Sequence, residues 1–479
     1  SRANRLANAL LNLGLARGSR IAFMAGNRHE FAEAYFGISK TGLVINPVNA
    51  LFSQEDAAYV INHSDAAVLI YQQELKGLVD KIKKDIPQVK HFISLGDEYE
   101  SFLQDASDSD PKEQELTAED DLYMIMYTSG ATGKPKGVGT SQRSIVLNAI
   151  SMAFEIGLGP DDTTLLVMPL FHNGGLWPTV VHFLRGGTVI LYEGSFDAER
   201  VLEICEKEKI TFLNLVPTTL YRVIEHPDLE KYNLTSLRSI MYAGAPSSLD
   251  KVKEAMGFLG QERFYQGLGS TEHNGVIVSF PTYEHALTGP LAEKLSSVGR
   301  TATLMEVRVV DDNGDDVQPG GIGEIICRGN LALGYWKQPE ETKETFKDGW
   351  LYTGDVGRID ADSYIYGVDR KKDMIISGGE NIASKEVEDV ICRHPAVYEA
   401  AVIGVPDPQW GEAVKAVVAL KPGMQATEKE IIDFTKNYLA SYKKPKSVEF
   451  CNELPKNPAG KIMKGEIKKK YWEGTGRKI

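Results

Sequence analysis

The sequence predicts an α/β protein, and three observations carry that reading. Helical and strand patterns alternate through most of the first 250 residues, as layered and largely parallel sheets require. From about residue 297 the pattern turns to short strands broken by N-G and P-G-G turns. A last stretch from 372 has helices and strands of its own. The expected architecture is a large N-terminal domain over 1–371, built of layered α/β sheets with a β-rich subdomain at about 297–369. A small α+β domain over 372–479 follows.

The elements read in order. Leu6, Ala9, Leu10 and Leu13 stand at i, i+3, i+4 and i+7, which predicts an amphipathic helix stopped at Gly14. A strand is expected at Arg20–Ala25. "RHEFAEAYFGISKTG" reads as helix, "LVINPVN" as strand, "EDAAYVINHSD" as helix and "AAVLIYQ" as strand. Residues 102–120 are polar and acidic and read as an exposed connector. "LYMIMY" is a buried-strand candidate. "AERVLEICEKEKI" then leads to "TFLNLVP", and "LDKVKEAM" to "RFYQGLG", again helix to strand. The last unit shows a helix at Ser384–Cys392, strands at "AAVIGV" and "VKAVVAL", a helix at "EKEIIDFTKNYLA" and a Lys-rich end.

Size and composition exclude several classes. A chain of 479 residues is too long for one ordinary core. It is 42% hydrophobic and 25% charged, as in globular proteins. A net charge of −13 argues against nucleic acid as a partner. Cys205, Cys327, Cys392 and Cys451 are scattered, without a C-x-x-C pair, so neither a disulfide framework nor a zinc site is expected. A reducing, cytoplasmic compartment is the simplest reading. No apolar run reaches the ~18–20 residues of a transmembrane segment. The chain opens inside an ordered unit and without Met, so further native residues are expected before it. A homo-oligomer is compatible with all of this.

Chemistry concentrates in "YTSGATGKPKG", residues 127–137. Thr128, Ser129 and Thr132 bring hydroxyls, Gly130 and Gly133 permit close backbone approach, and Lys134 and Lys136 bring cations. Backbone N–H groups of such a loop form an anion-binding nest. Pro135 after Gly-Lys separates it from the G-x-x-x-x-G-K-[ST] loop, because the residue before a proline leaves helical geometry. Taken alone, the stretch is also compatible with a solvated turn.

Other motifs accompany it: "PLFHNGG" (169–175), "YAGAP" (242–246), "QGLGSTE" (266–272), "GWLYTGDVGRID" (349–360), "DRKKDMIISGGENI" (369–382) and "NPAGKIMK" (457–464). Together and in this order they resemble the adenylate-forming (AMP-binding) superfamily, in its acyl- and aryl-CoA synthetase branch. The resemblance spans essentially the whole chain.

That resemblance implies a two-step reaction. A carboxylic acid attacks the α-phosphate of ATP, giving acyl-AMP and pyrophosphate, and coenzyme A then displaces AMP. No covalent enzyme intermediate is implied, so catalysis rests on positioning and charge stabilisation. The opening loop would hold the β- and γ-phosphates. Gly267, Leu268, Gly269 and Thr271 would bind adenine and α-phosphate, and Glu272 would ligate Mg²⁺. Asp355 would accept from the ribose hydroxyls, with Arg370 beside it. Lys461 would be the catalytic cation, in a solvent-facing turn. His172, Asn173, Gly244, Ala245, Gly267 and Leu268 would line the acyl pocket, with His172 as its gate. The small domain would rotate about Lys372, exposing Ser377, Gly378 and Gly379 to the thiol, while Lys443 would meet the CoA phosphates. Without the motifs, Asp355 reads as a turn residue, Thr271 as a helix start, Arg370 as a surface ion pair and Lys461 as one lysine of a solvated tail.

Two positions depart from the family pattern. Ala131 replaces a hydroxyl residue, and Leu268 stands where an aromatic stacks on adenine. His273 and Asn274 are polar for an acyl wall and point to an aromatic or polar acid. The leading reading is an AMP-forming acid:CoA ligase. The alternatives are an adenylating enzyme that loads a carrier protein and a catalytically silent nucleotide-binding relative.

Overall fold

The computed structural model describes residues 1–112, 117–128, 134–245, 247–457 and 461–473. Among them the strands form four sheets. The first contains β1 (Arg20–Ala25), β2 (Val44–Asn49), β3 (Ala66–Tyr71), β4 (His91–Ser94), β5 (Leu122–Thr128) and β6 (Lys136–Ser141). The second contains β7 (Thr163–Leu166), β8 (Thr188–Leu191), β9 (Phe212–Leu215), β10 (Ser239–Ala243), β11 (Phe264–Ser270), β12 (Gly275–Phe280) and β13 (Arg300–Thr301). A third is made of β14 (Met305–Val310), β15 (Ile322–Gly329), β17 (Phe346–Lys347), β18 (Trp350–Ile359) and β19 (Ile365–Arg370), while β16 (Gly334–Tyr335) joins the first sheet beside β6. The fourth holds β20 (Ile375–Ser377), β21 (Glu380–Ile382), β22 (Val397–Asp407), β23 (Gly411–Leu420) and β24 (Ser447–Cys451).

The α/β expectation holds. Sheet one runs β16-β6-β5-β2-β1-β3-β4 and sheet two β13-β12-β11-β10-β9-β7-β8. Both have a parallel interior that turns antiparallel at one side, at the β5–β6 and β11–β12 hairpins. Strands buried on both faces must be apolar at successive positions. Accordingly Ile21, Phe23 and Ala25 of β1 belong to one core cluster, and Ala22 and Met24 to the opposite one.

The first helix, Arg2–Leu11, buries Leu6, Ala9 and Leu10, and the chain turns at Gly14 with φ +66°. The 102–120 segment is not simply an exposed connector. A helix at Asp97–Gln104 enters it, and Leu103 and Ala106 pack into the core. Two apolar side chains among acidic neighbours suffice to dock it. Asp108 and Asp110 then pair with Arg5 and Lys40.

The chain divides into two compact units. One comprises Ser1–Val307 and Cys327–Leu351, the other Arg308–Ile326 and Tyr352–Ile479. This division groups 308–326 and 352–371 with the C-terminal part, whereas the motif reading separates the chain at 371/372 as the boundary of a moving domain. In the second unit, β20, β22 and β23 and the helices Ser384–Ile391 and Glu428–Thr435 enclose a core of Ile375, Val387, Val402, Val414 and Ile431. The helix expected over "EKEIIDFTKNYLA" ends at Thr435.

Candidate active site

In the first unit the motif residues follow the carboxyl ends of strands, where open α/β sheets bind ligands. Thr128 ends β5, His172 and Asn173 lie beyond β7, Gly244 and Ala245 follow β10, and Thr271 and Glu272 follow β11. Ser129, Gly130, Ala131, Thr132 and Gly133 lie outside the described residues. So do Pro246 and, in the lysine motif, Pro458, Ala459 and Gly460.

The turn from Thr271 to Asn274 is a turn and not a helix start. Thr271 is buried. The Glu272 carboxylate accepts from the Ser270 hydroxyl at 2.7 Å and from the Tyr335 hydroxyl at 3.1 Å. Each donor takes a different oxygen, so the carboxylate is oriented by neutral groups. Burial first, and the Glu272 charge second, raise the Tyr335 hydroxyl pKa, which keeps it protonated and donating. Lys136 forms an ion pair with Glu341 and lies 5.6 Å from the centroid of the Tyr335 ring. Lys134 is exposed and stands 5.2 Å from the Tyr59 ring centroid.

Asn274 is not an acyl-wall residue. It is buried at φ +48°, a conformation for which Asn is one of the better non-glycine residues. Its Oδ1 accepts from Thr140 of β6 at 2.7 Å, and its Nδ2 donates to Ser144 Oγ at 2.7 Å. Ser144 in turn donates to Asn330 Oδ1 at 2.8 Å. These bonds consume the polar groups that the sequence leaves free for a substrate. His273 is buried as well.

His172 caps the helix Asn173–Arg185, its Nδ1 accepting from the Gly174 N–H at 3.2 Å. Asn214 of β9 donates to the Gly174 carbonyl at 2.9 Å and pins the same helix start. The buried Asn173 Nδ2 has no hydrogen-bond partner among the described residues. Gly267 is buried against Val276 and Met241, and Leu268 is half-buried opposite Val278.

In the second unit, Asp355 of β18 faces Arg370 of β19 across the antiparallel pair, with Arg370 Nε 3.2 Å from Asp355 Oδ1. Lys461 joins them. Its ammonium pKa is pushed down to about 8, first by burial and then by Arg370 and Lys372, with Asp355 and Asp373 opposing. The lysine is therefore half-buried and not solvent-facing. The cause is Asn457, whose Oδ1 accepts from the Lys461 N–H at 2.9 Å while its own N–H donates to the Lys461 carbonyl at 2.9 Å. Lys372 is exposed, and its carbonyl accepts from the buried Lys468 ammonium at 3.1 Å. Ser377 closes the β20–β21 hairpin against Glu380. Between them Gly378 and Gly379 take φ +61° and +85°, which a two-residue turn of this hand needs. Lys443 is paired with Glu386 at 2.7 Å.

Sequence reasoning missed Tyr335, Glu341 and Asn457. Asn457 lay inside a motif, but the motif does not show its bonds to Lys461. Tyr335 and Glu341 are far in sequence from Glu272 and Lys136, and the pairing of β16 with β6 brings them in. Among the described residues no group of three or more His, Cys, Asp or Glu side chains could hold a metal. A lone carboxylate held by hydroxyls still fits Mg²⁺, which takes one or two protein carboxylates and completes its shell with phosphate oxygens and water.

Comparison with known proteins shows the family. The family model described as AMP-binding enzyme matches residues 1–336, and the AMP-binding enzyme C-terminal domain matches 386–461. A feruloyl-CoA synthase of Amycolatopsis sp is 37% identical over 98% of this chain and 92% of its own length. The fatty acid–acyl-carrier-protein ligase ScoC of Streptomyces coeruleorubidus is 34% identical over 99% of this chain and 91% of its own length. ATP-bound MatB from Rhodopseudomonas palustris superposes with a TM-score of 0.89 at 29% identity, over 98% of this chain and 92% of that one. These are relatives within the adenylate-forming enzymes. The chain belongs to the AMP-binding enzyme family, in its acid–CoA ligase branch.

Asn274→Ala is expected to lower stability by roughly 2–4 kcal/mol, from two buried hydrogen bonds and a backbone conformation alanine disfavours. Denaturant unfolding measures it. Asn274→Gly should recover only the backbone part.

Proposed function

We propose how the described residues carry out AMP-forming acid–CoA ligation, the activity of the branch to which the chain belongs. The observation that carries the reading is the grouping of Asp355, Arg370 and Lys461 in the second unit. The Asp355 carboxylate suits the two ribose hydroxyls. Arg370 and Lys461 suit the α-phosphate and the charge that develops as the acid attacks it. In the first unit, Thr271 offers a hydroxyl that suits a phosphate oxygen. Glu272 would hold Mg²⁺, which neutralises the pyrophosphate leaving group when bound. Thr128 and Lys134, and Lys136 once exchanged from Glu341, would bind the outer phosphates. No nucleophile–base pair is needed, because the acid itself is the nucleophile.

The thiol is coenzyme A in this reading. Lys372 is the proposed hinge, and Ser377, Gly378 and Gly379 form a low-bulk turn for the pantetheine arm. Lys443 would have to exchange Glu386 for a CoA phosphate. The decisive experiment is a pyrophosphate-release screen over carboxylic acids, with and without CoA. CoA-dependent AMP release and an acyl-CoA product are expected. Transfer only to a carrier protein would replace CoA as the acceptor. No pyrophosphate release with any acid would overturn the ligase reading.

Lys461→Ala should slow acyl-AMP formation by about 10²–10³, the usual cost of losing one preorganised charge contact. It should leave the reaction of supplied acyl-AMP with CoA near normal. Equal losses in the two half-reactions, at an unchanged melting temperature, would count against a role confined to adenylation.

The pH dependence has a definite sign. The active form of Lys461 is the ammonium, and its pKa in the free protein is about 8. The charged fraction therefore falls as pH rises through about 8. kcat/KM for ATP in acyl-AMP formation reports free-enzyme groups and should fall above that pH. Bound phosphate favours the ammonium, so the limb in kcat should lie higher. Lys461→Arg should abolish both limbs.

Tyr335→Phe should raise the Mg²⁺ concentration needed for half-maximal ATP binding by roughly tenfold, as loss of a group orienting a metal ligand commonly does. Titration calorimetry of ATP at graded Mg²⁺ checks this. Binding of ATP without Mg²⁺ should be unchanged.

A further inference from the structure

The helix Gln142–Ile156 carries a polar stripe on its buried face: Ser144, Asn148, Ser151 and Glu155, at helical spacing. A buried polar group is normally paired. Ser144 is bonded to Asn274 and Asn330. Ser151 donates to the Thr303 carbonyl at 2.8 Å. Glu155 accepts from Ser279 at 2.6 Å and from Thr303 at 2.7 Å. Asn148 breaks the series. It is 6% exposed, and its Nδ2 has no hydrogen-bond partner among the described residues.

Beside that amide lies a largely apolar cluster, which also holds the buried Tyr265 hydroxyl. Met152, Met241, Tyr265, Trp177 and Val276 form one hydrophobic cluster between this helix, the helix Asn173–Arg185 and the face of sheet two. Gly275 admits the amide to it. A Cβ at 275 would fall 2.4 Å from both Asn148 amide atoms and 1.9 Å from the edge of the Trp177 ring. The same cluster reaches the acyl candidates, since Gly267 touches Val276 and Met241, and Ala243 pairs with Gly267 in register. An unpaired donor thus stands in an apolar wall beside the residues assigned to the acyl group.

We propose that Asn148 is a specificity-determining residue that donates a hydrogen bond to an oxygen on the organic part of the acid. The substrates are then carboxylic acids bearing a hydroxyl, alkoxy or carbonyl oxygen away from the carboxylate, in preference to plain hydrocarbon acids. The reverse choice, a plain alkyl or aryl tail, would bury the amide with no acceptor, which a site built to pair a substrate oxygen disfavours strongly. This rests on the ligase reading above and names the substrate class within it.

The test compares acid pairs on one skeleton, 3-phenylpropenoic acid with and without a ring hydroxyl or methoxy group, and octanoic acid with and without an ω-hydroxyl. Pyrophosphate release gives kcat/KM for wild type, Asn148→Ala and Asn148→Leu, and thermal melting is recorded for each. Wild type should favour the oxygenated member of at least one pair by about tenfold or more. Both variants should bring that ratio near unity by losing activity on the oxygenated acid, while the plain acid is kept or improved. A purely structural asparagine would instead lower both members together. The proposal is overturned if wild type favours the plain members, or if folded variants keep the wild-type ratio. If the variants do not fold, the wild-type ratios alone decide. If wild type activates none of the acids, the ligase reading falls, and this inference falls with it.

Discussion

The first unit depends on one buried knot. Asn274, in the turn that follows β11, is bonded to Thr140 of β6 and to Ser144 at the start of the next helix. Sheet one and sheet two each turn from parallel to antiparallel beside a motif loop, and the knot ties those two places together. Thr271 and Glu272 sit in the same turn, so their position relative to β6 is set by backbone and by fully paired amides. Had the turn been held only by solvent-exposed bonds, the Glu272 carboxylate would wander with it. A hydrogen bond to a buried, dehydrated partner resists that because breaking it leaves a polar atom unpaired.

The second unit works by charge rather than by a knot. Arg370 answers the Asp355 carboxylate, and Lys461 adds a second positive group close by. Burial first, and then the surplus positive charge, push the lysine down to about 8. An arriving phosphate reverses both effects of charge, since it supplies the anion the cluster lacks. A cation held at a cost in the free protein is stabilised most by the ligand that is most negative.

Much of this was legible in the sequence, for a definite reason. The central strands of sheet one are buried on both faces and its helices on one, so β1 and the helix Arg2–Leu11 announce themselves by periodicity alone. The motif positions followed from resemblance, and their places after β5, β7, β10 and β11 agree with it. What could not be read was pairing at a distance. Asn274 looked like a wall of the substrate pocket because the sequence does not show Thr140 and Ser144 beside it. Tyr335 and Glu341 carried no motif, and only the β16–β6 pairing delivers them to Glu272 and Lys136. Lys461 looked exposed because a lysine in a Lys-rich tail usually is. Asn457 ties the Lys461 backbone twice, its side-chain Oδ1 accepting from the Lys461 N–H and its own N–H donating to the Lys461 carbonyl.

The stripe on the helix Gln142–Ile156 also separates two jobs that could have been entangled. Ser144 belongs to the knot, and Asn148, one helical turn on, has its amide beside Gly275. Because the knot is complete without Asn148, a change at 148 alters what the acyl wall offers without loosening Glu272. The converse does not hold. A change at Ser144 or Asn274 moves the turn, and the turn leads directly into Gly275, which bounds the space around the Asn148 amide. Selectivity can therefore drift along the helix while the phosphate side stays fixed. A disturbance on the phosphate side reaches both.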